Sequence, residues 1–437
     1  MRRPVLAAMV FLLVTGAQAQ YLERLLVVGK GPLAMALDSL RHRLFVVCQN
    51  SNTMAVVNTE SLRLSAVVNL GSKPADVLVL PSLGRVYVAC SPGSGNGSVR
   101  VYDADNLSLV SAIGVGRSPI KLVYAAVDNR IACLNRLSPS VSIIRCDSNR
   151  VVRSVSLSQT PEDMIWNPGS NRLYVVSGAY MQSGRITVID PRTAQTAKTV
   201  STGEDGWRAV CDPVRNRVYA FFRGSRTLAI VDGSRDSIVR TLRTESEVWA
   251  MLWLPDDKLY VGNYWTSSVS VLYGSDTGFG RTFRVAGGPG CFRLNPLTGK
   301  VYAASYLEGR VSVIDSRSGG DELWDSIGIG AGPSDIEVCP ATNRIFVCNS
   351  WDSTVAVIRD ELTGLTESSS CLNGTGRVTA TVVPGIAGLI SKAAGEMLFD
   401  VHGRRVTGMA MTDRLSPGVY FVVGSSGSVR RLTVVGR

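Results

Sequence analysis

Histidine is almost missing: His42 and His402 are the only two in 437 residues. That scarcity argues against a histidine-based metal centre, a haem or a histidine-dependent triad. The nine cysteines are an odd number with no C-x-x-C pair, so neither a zinc site nor a dense disulfide framework is indicated. Six of them, Cys48, Cys90, Cys133, Cys211, Cys339 and Cys348, lie inside apolar runs, where cysteine behaves as a small buried hydrophobe. Past the N-terminus no stretch approaches the roughly 18 uninterrupted apolar residues of a membrane-spanning helix. The formal charge of +11 contains no Lys/Arg block, so weak attraction to acidic partners is expected and nucleic-acid binding is not. The first nineteen residues stand apart. Arg2 and Arg3, the apolar run Val5 to Val14 and Ala17-Gln18-Ala19 read as a secretory signal peptide, with a mature chain expected from Gln20.

What is abundant is self-similarity. A basic residue, an aliphatic, an aromatic and small apolar residues recur at Arg43, Arg85, Arg130, Arg172, Arg217, Lys258, Lys300 and Arg344, at intervals of 41 to 45 residues. About a dozen residues after each comes a second apolar run, as in Val99 to Tyr102 and Val311 to Ile314. A third run precedes the basic motif (Asp76 to Pro81, Asp163 to Pro168), and a fourth closes the unit before a Gly-rich connection (Ala66 to Gly71, Asp325 to Gly330). Each period thus holds four short strands and no helical-period segment. The residue before each basic position is His42, Gly84, Asn129, Asn171, Asn216, Asp257, Gly299 or Asn343, types that tolerate the positive φ of a tight hairpin. Four-stranded units of this length bury both faces only when stacked in a ring. The fold class is therefore all-β: an eight-bladed β-propeller over residues 20–360, with seven blades plus an irregular unit as the alternative. The run after Asp360 lacks a fourth strand, and Leu22 to Gly29 has the pattern to supply it, so an N-terminal strand is expected to close the ring.

Gly71-Ser-Lys-Pro74, Leu259-Tyr-Val-Gly-Asn263 and Val311-Ser-Val-Ile-Asp315 give the repeat a recognisable form. It resembles the YVTN-type β-propeller family over about residues 22 to 360, departing where Ala132 replaces the aromatic and where Gly206 and Val248 replace the proline. The resemblance implies a propeller scaffold and a cell-envelope location but no single activity. After a linker at 361–376, residues 377–437 read as a small Ig-like β-domain. Met397 to Val406, Leu415 to Val423 and Arg430 to Val435 resemble the C-terminal sorting tail of type IX secretion substrates, with an accessory domain free of any sorting role as the alternative. Together these features imply an exported product, extracellular or at the cell surface, or else periplasmic, with the secretion machinery as a partner of the tail.

The residues offer little chemistry. Ser91 to Gly97 and Ala286 to Gly290 are glycine-rich, but neither ends in Lys-Ser/Thr nor opens a helix, so a hairpin insertion and an inter-blade connection are expected. Asp103-Ala-Asp105 has a calcium-like spacing without the rest of an EF-hand loop, which favours an Asx turn. Asp76, Lys121, Asp163, Arg208 and Asp335 align at the start of the innermost strand in five repeats; charge pairing between neighbouring blades is expected there rather than an ion site.

No residue is assigned a catalytic or metal-binding role and no cofactor is implied. A lactonase-type or quinoprotein-like propeller enzyme remains the alternative to a non-catalytic binding scaffold. In an up-and-down blade, the connections into the innermost strands and the loops between second and third strands share one face. That face gathers Tyr180, Trp207, Trp249, Tyr264, Trp265, Tyr306 and Trp351, all from blades four to eight, with Arg208, Arg223 and Arg226 beside them. A ligand there, an acidic glycan or a protein, is the expected partner. The competing reading of Trp207 and Trp249 is that they cap the core between blades.

Overall fold

The structure, a computed structural model, describes residues 20–360 except 180, 275–276 and 318–320, together with the strands Met397–Asp400, Gly418–Val423 and Val429–Val434. Residues 20–360 form eight four-stranded antiparallel sheets, each in simple up-and-down order except the last. The innermost strands are Pro32–Asp38, Lys73–Leu80, Pro119–Ala125, Pro161–Asn167, Gly206–Asp212, Val248–Leu254, Pro289–Asn295 and Pro333–Cys339, defining blades 1 to 8. Each touches the next, and the last touches the first, so the ring closes. The fold is an eight-bladed β-propeller. Its eighth blade takes its outer strand from the N-terminus: Gln20–Val27 pairs antiparallel with Thr354–Asp360 in the register Leu22↔Ile358 to Val27↔Thr354.

The second and third strands of every blade are buried on both faces, which is why they read as continuous Val/Ile/Leu runs rather than as an alternation. Their side chains build eight hydrophobic clusters, one between each pair of neighbouring blades. All eight turn residues named above adopt positive φ, between 49° at Asn129 and Asn343 and 69° at Asp257. His42, at 51°, is one of them.

Polar side chains sew the interfaces. Arg43 donates to the Ala104 and Asp105 carbonyls of the next blade at 2.6 and 2.9 Å, and Arg130 to the Pro191 carbonyl at 2.7 Å. The recurrent basic residue is thus structural, although in blades 2, 4 and 5 it pairs within its own sheet, with Asp103, Asp190 and Asp232. The aromatic of the motif also crosses: Tyr174 donates to Asp236 of blade 5, and Tyr260 to the buried Asp321 of blade 7, which also receives Lys258 at 3.0 Å.

The charges on the innermost strands do pair across blades, but mostly with backbone. Asp76, Asp163 and Asp335 make the same clip. One oxygen accepts the N–H of the following residue, and the other accepts an N–H of the next blade, from Leu122, Ala209 and Met35 at 2.7 to 2.9 Å. Of the five aligned charges, Lys121 and Asp163 form an inter-blade ion pair, and two residues further along the strands of blades 7 and 8 Arg293 pairs with Glu337 at 2.9 Å. Arg208 reaches the Trp249 carbonyl at 3.3 Å rather than a carboxylate. A carboxylate satisfies two N–H groups at a strand start where the ladder cannot, hence the bias toward Asp.

Asp103 caps an Asx turn through the N–H groups of Asp105 and Asn106 at 2.9 and 3.2 Å. Both acids of that pair are engaged by arginine, Arg85 and Arg41. Ser91 to Gly97 lies in the hairpin between the second and third strands of blade 2, and Ala286 to Gly290 in the connection entering blade 7. The C-terminal strands form a three-stranded antiparallel sheet. The signal segment 1–19, the linker 361–376 and His402 lie outside the described residues.

Candidate binding face

Every innermost strand opens with a β-bulge at the same place. The ladder skips one residue in each blade: Leu33, Ala75, Ile120, Glu162, Trp207, Trp249, Gly290 and Ser334 in order. A bulge releases a side chain from the pleat and re-aims it. In six blades the residue before the bulge is proline, tolerated because an innermost strand is a sheet edge. Blades 5 and 6, where Gly206 and Val248 stand instead, are the two that release tryptophans.

These tryptophans meet the hairpins beyond the second strands. Trp249 stacks on Tyr264 with centroids 4.4 Å apart at 23°, and Tyr264 meets Trp265 edge-on at 4.9 Å. Trp207 lies 5.7 Å from Trp249 on one side, and Tyr306 lies 6.4 Å away on the other. Tyr306 in turn meets Trp351 edge-on at 5.2 Å. Six of the seven aromatics named from the sequence therefore form one continuous arc over blades 5 to 8, and the seventh, Tyr180, lies outside the described residues. The arc is graded in exposure: Trp265 and Trp351 are 64% and 65% exposed at the hairpin tips, whereas Tyr264 is buried at 4%. Tyr264 is thus a support for the arc rather than a contact surface. Trp207, half-buried, also packs on the core between blades 5 and 6, so for it the capping role holds in part.

The arginines divide. Arg223 lies 4.2 Å from the Trp207 ring, but its Nε and Nη2 both donate to the buried Asp205 at 2.8 Å, so its charge is spent. Arg208 sits 5.0 Å from the same ring with its Nε on the Trp249 carbonyl, and its two terminal nitrogens have no partner among the described residues. Arg226 is exposed, in the left-handed region at φ 50°. Beside the arc, in blade 4, Glu162 takes Arg136 at 2.8 Å, and burial holds its carboxyl above the usual range. Glu308 and Asp352, both exposed, sit on the hairpins of blades 7 and 8. The face carries both signs.

Burial pushes the Cys291 thiol, next to Gly290, up to about 12, the opposite of an activated nucleophile. Among the described residues no group of three or more His, Cys, Asp or Glu side chains could hold a metal ion. Elsewhere, a cavity of about 680 Å³ lies between blades 2 and 3, lined by Ser138, Ser140, Ser154, Ser156 and Asn96. It contains neither an aromatic ring nor a charge, so the arc is the better candidate. Sequence reasoning missed the bulge position that organises the arc, and it missed Leu307, 54% exposed at the tip of the blade 7 hairpin. The signal was present, one residue before the aligned Asp76, Lys121 and Asp163.

No family model matches the chain, and no curated protein matches it. Solved structures do. The dihydro-heme d1 dehydrogenase NirN in complex with DHE aligns with a TM-score of 0.62 at 13% identity over 74% of this chain and 72% of that one. The computationally designed Ika8 protein aligns at 0.61 and 15% over 77% and 98%, and hydrazine synthase of Kuenenia stuttgartiensis at 0.52 and 15% over 76% and 96%. At such identities the likeness establishes architecture, and the set spans enzymes and a designed protein. The chain is an eight-bladed β-propeller, an architecture that these similar structures share across different functions.

Proposed function

We propose that this chain is an exported, non-catalytic scaffold of the YVTN-propeller type that docks its ligand on the aromatic arc of blades 5 to 8. The observation that carries the reading is the arc itself: two mostly exposed tryptophans joined through a continuous chain of ring contacts to a supported base. Exposed indoles cost solubility, and rigid aromatic anchors dominate binding energy where they are retained. An enzyme would need convergent free polar groups, whereas the innermost-strand carboxylates of Asp76, Asp163 and Asp335 have both oxygens committed to backbone N–H groups.

The test is alanine replacement at the two tips. Trp265→Ala and Trp351→Ala should each weaken a ligand found by glycan and protein arrays by about 1 kcal/mol or more. Because both rings are mostly exposed, the melting temperature should stay within about 2 °C. Unchanged affinity in both variants would remove the reading. Export is tested separately: deletion of residues 377–437 should leave a folded propeller in the periplasm, and normal recovery outside the cell would contradict a sorting role for the tail.

A further inference from the structure

We infer that the gap above Gly290, between Trp249 and Trp351 and in front of Tyr306, is a subsite for one uncharged pyranose ring of a glycan; this rests on the arc being the binding face. Arg223, Tyr264 and Tyr306 are equivalent residues, each the first after the second strand of its blade. In blades 5 and 6 the bulge residue covers that partner: Trp207 lies against Arg223 and Trp249 against Tyr264. In blade 7 the bulge residue is Gly290, and Tyr306 has no such cover.

Neither usual reason for a glycine applies there. Gly290 is absent from the left-handed region, and a Cβ added to it would meet Tyr306 Cβ at 3.7 Å and nothing closer, an ordinary contact. Glycine within a strand is destabilising relative to alanine, and it recurs where a ligand approaches the backbone closely. Gly290 leaves unfilled the position that an indole occupies in blades 5 and 6, and the Tyr306 ring behind it has Trp249 at 6.4 Å on one side and Trp351 at 5.2 Å on the other.

The polar groups nearby select the occupant. Arg208, anchored on the Trp249 carbonyl, offers two guanidinium nitrogens without a partner among the described residues, and the exposed Glu308 and Asp352 carboxylates, one oxygen of Asp352 already accepting the Ala331 N–H, stand on the flanking hairpins. A saccharide presents C–H faces to the rings and hydroxyls that accept from the arginine and donate to the acids. A uronate would meet two carboxylates, and an aromatic peptide side chain would leave Arg208 unanswered.

The full mature chain is titrated, by tryptophan fluorescence and calorimetry, with cellohexaose, xylohexaose and mannohexaose. Hexagalacturonate and a tryptophan-containing peptide serve as comparators. At least one neutral hexasaccharide should bind, and Gly290→Trp, which refills the gap, should weaken it about tenfold or more at unchanged melting temperature. Should that variant not fold, Tyr306→Ala, which removes the back wall, is read in its place and should weaken binding by a similar factor. Binding that survives the gap variant yet is lost in Trp265→Ala would overturn the subsite while leaving the arc. Binding only of the uronate or the peptide, or of none of these to about 1 mM, would overturn the ligand class.

Discussion

A single aspartate at the start of an innermost strand meets two demands: it caps its own strand and takes an N–H from the next blade. The cost is electrostatic. Burial pushes the Asp76 carboxyl up to about 7 and that of Asp335 up to about 6, against the pull of their N–H donors and of Lys121 on Asp76 and Arg293 on Asp335. Both folded-state values lie above the unfolded value near 3.9, so ionisation is harder in the native state and destabilises it. Their contribution is complete below about pH 4 and is lost as pH rises through about 6 and then about 7. Carboxylates held low by partners, such as Glu23 through Arg344 and Asp105 through Arg41, act oppositely and lose their contribution as pH falls below about 4. The melting temperature should therefore peak near about pH 5 and decline toward pH 8. Asp76→Asn, which cannot ionise, should start lower and show a flatter decline. An unchanged slope in that variant would contradict the assignment.

At the scale of elements, the ring is closed by a strand from the far end of the chain. Arg344 binds Glu23 through two nitrogens at 2.6 and 2.7 Å and also donates to the Thr59 and Glu60 carbonyls at 3.0 and 3.1 Å. One side chain thereby ties the closing strand, blade 8 and blade 1. Arg344→Ala should cost about 2–3 kcal/mol by denaturant titration, since it strands a half-buried carboxylate and two carbonyls. A loss under about 0.5 kcal/mol would show the closure to rest on the apolar side chains, such as Leu26, alone. The strand count and this closure were legible in the sequence because doubly buried strands leave uninterrupted apolar runs, and the turn residues were legible because left-handed φ restricts residue type. The Lys121–Asp163 pair was legible in the alternating sign of the aligned charges, but the cross-blade partners of Tyr260 and Arg43 and the Ala209 N–H on Asp163 were not, since periodicity marks position along a strand but not which neighbour a side chain reaches. The bulge was hidden for a related reason: one skipped residue alters register without altering composition.

At the scale of the whole molecule, the repeat makes every blade alike in its core and leaves the loop face free to differ. Blades 5 to 8 spend that freedom on aromatics. That the rings would share a face followed from topology; that they would touch in one arc did not, because contact depends on bulge geometry at Trp207 and Trp249. Of the three arginines expected beside the rings, Arg223 is paired with the buried Asp205. The opposite face, which carries the turns at His42, Gly84 and Asn129, shows no comparable cluster of rings among the described residues. The central claim is that one face binds. Hydrogen exchange, read with and without a saturating oligosaccharide or protein ligand, tests it most directly. The account predicts slowed exchange in the hairpins around Tyr264–Ser267, Tyr306–Gly309 and Ser350–Ser353 with no change in the turns of the opposite face, and protection confined to those opposite turns would contradict it.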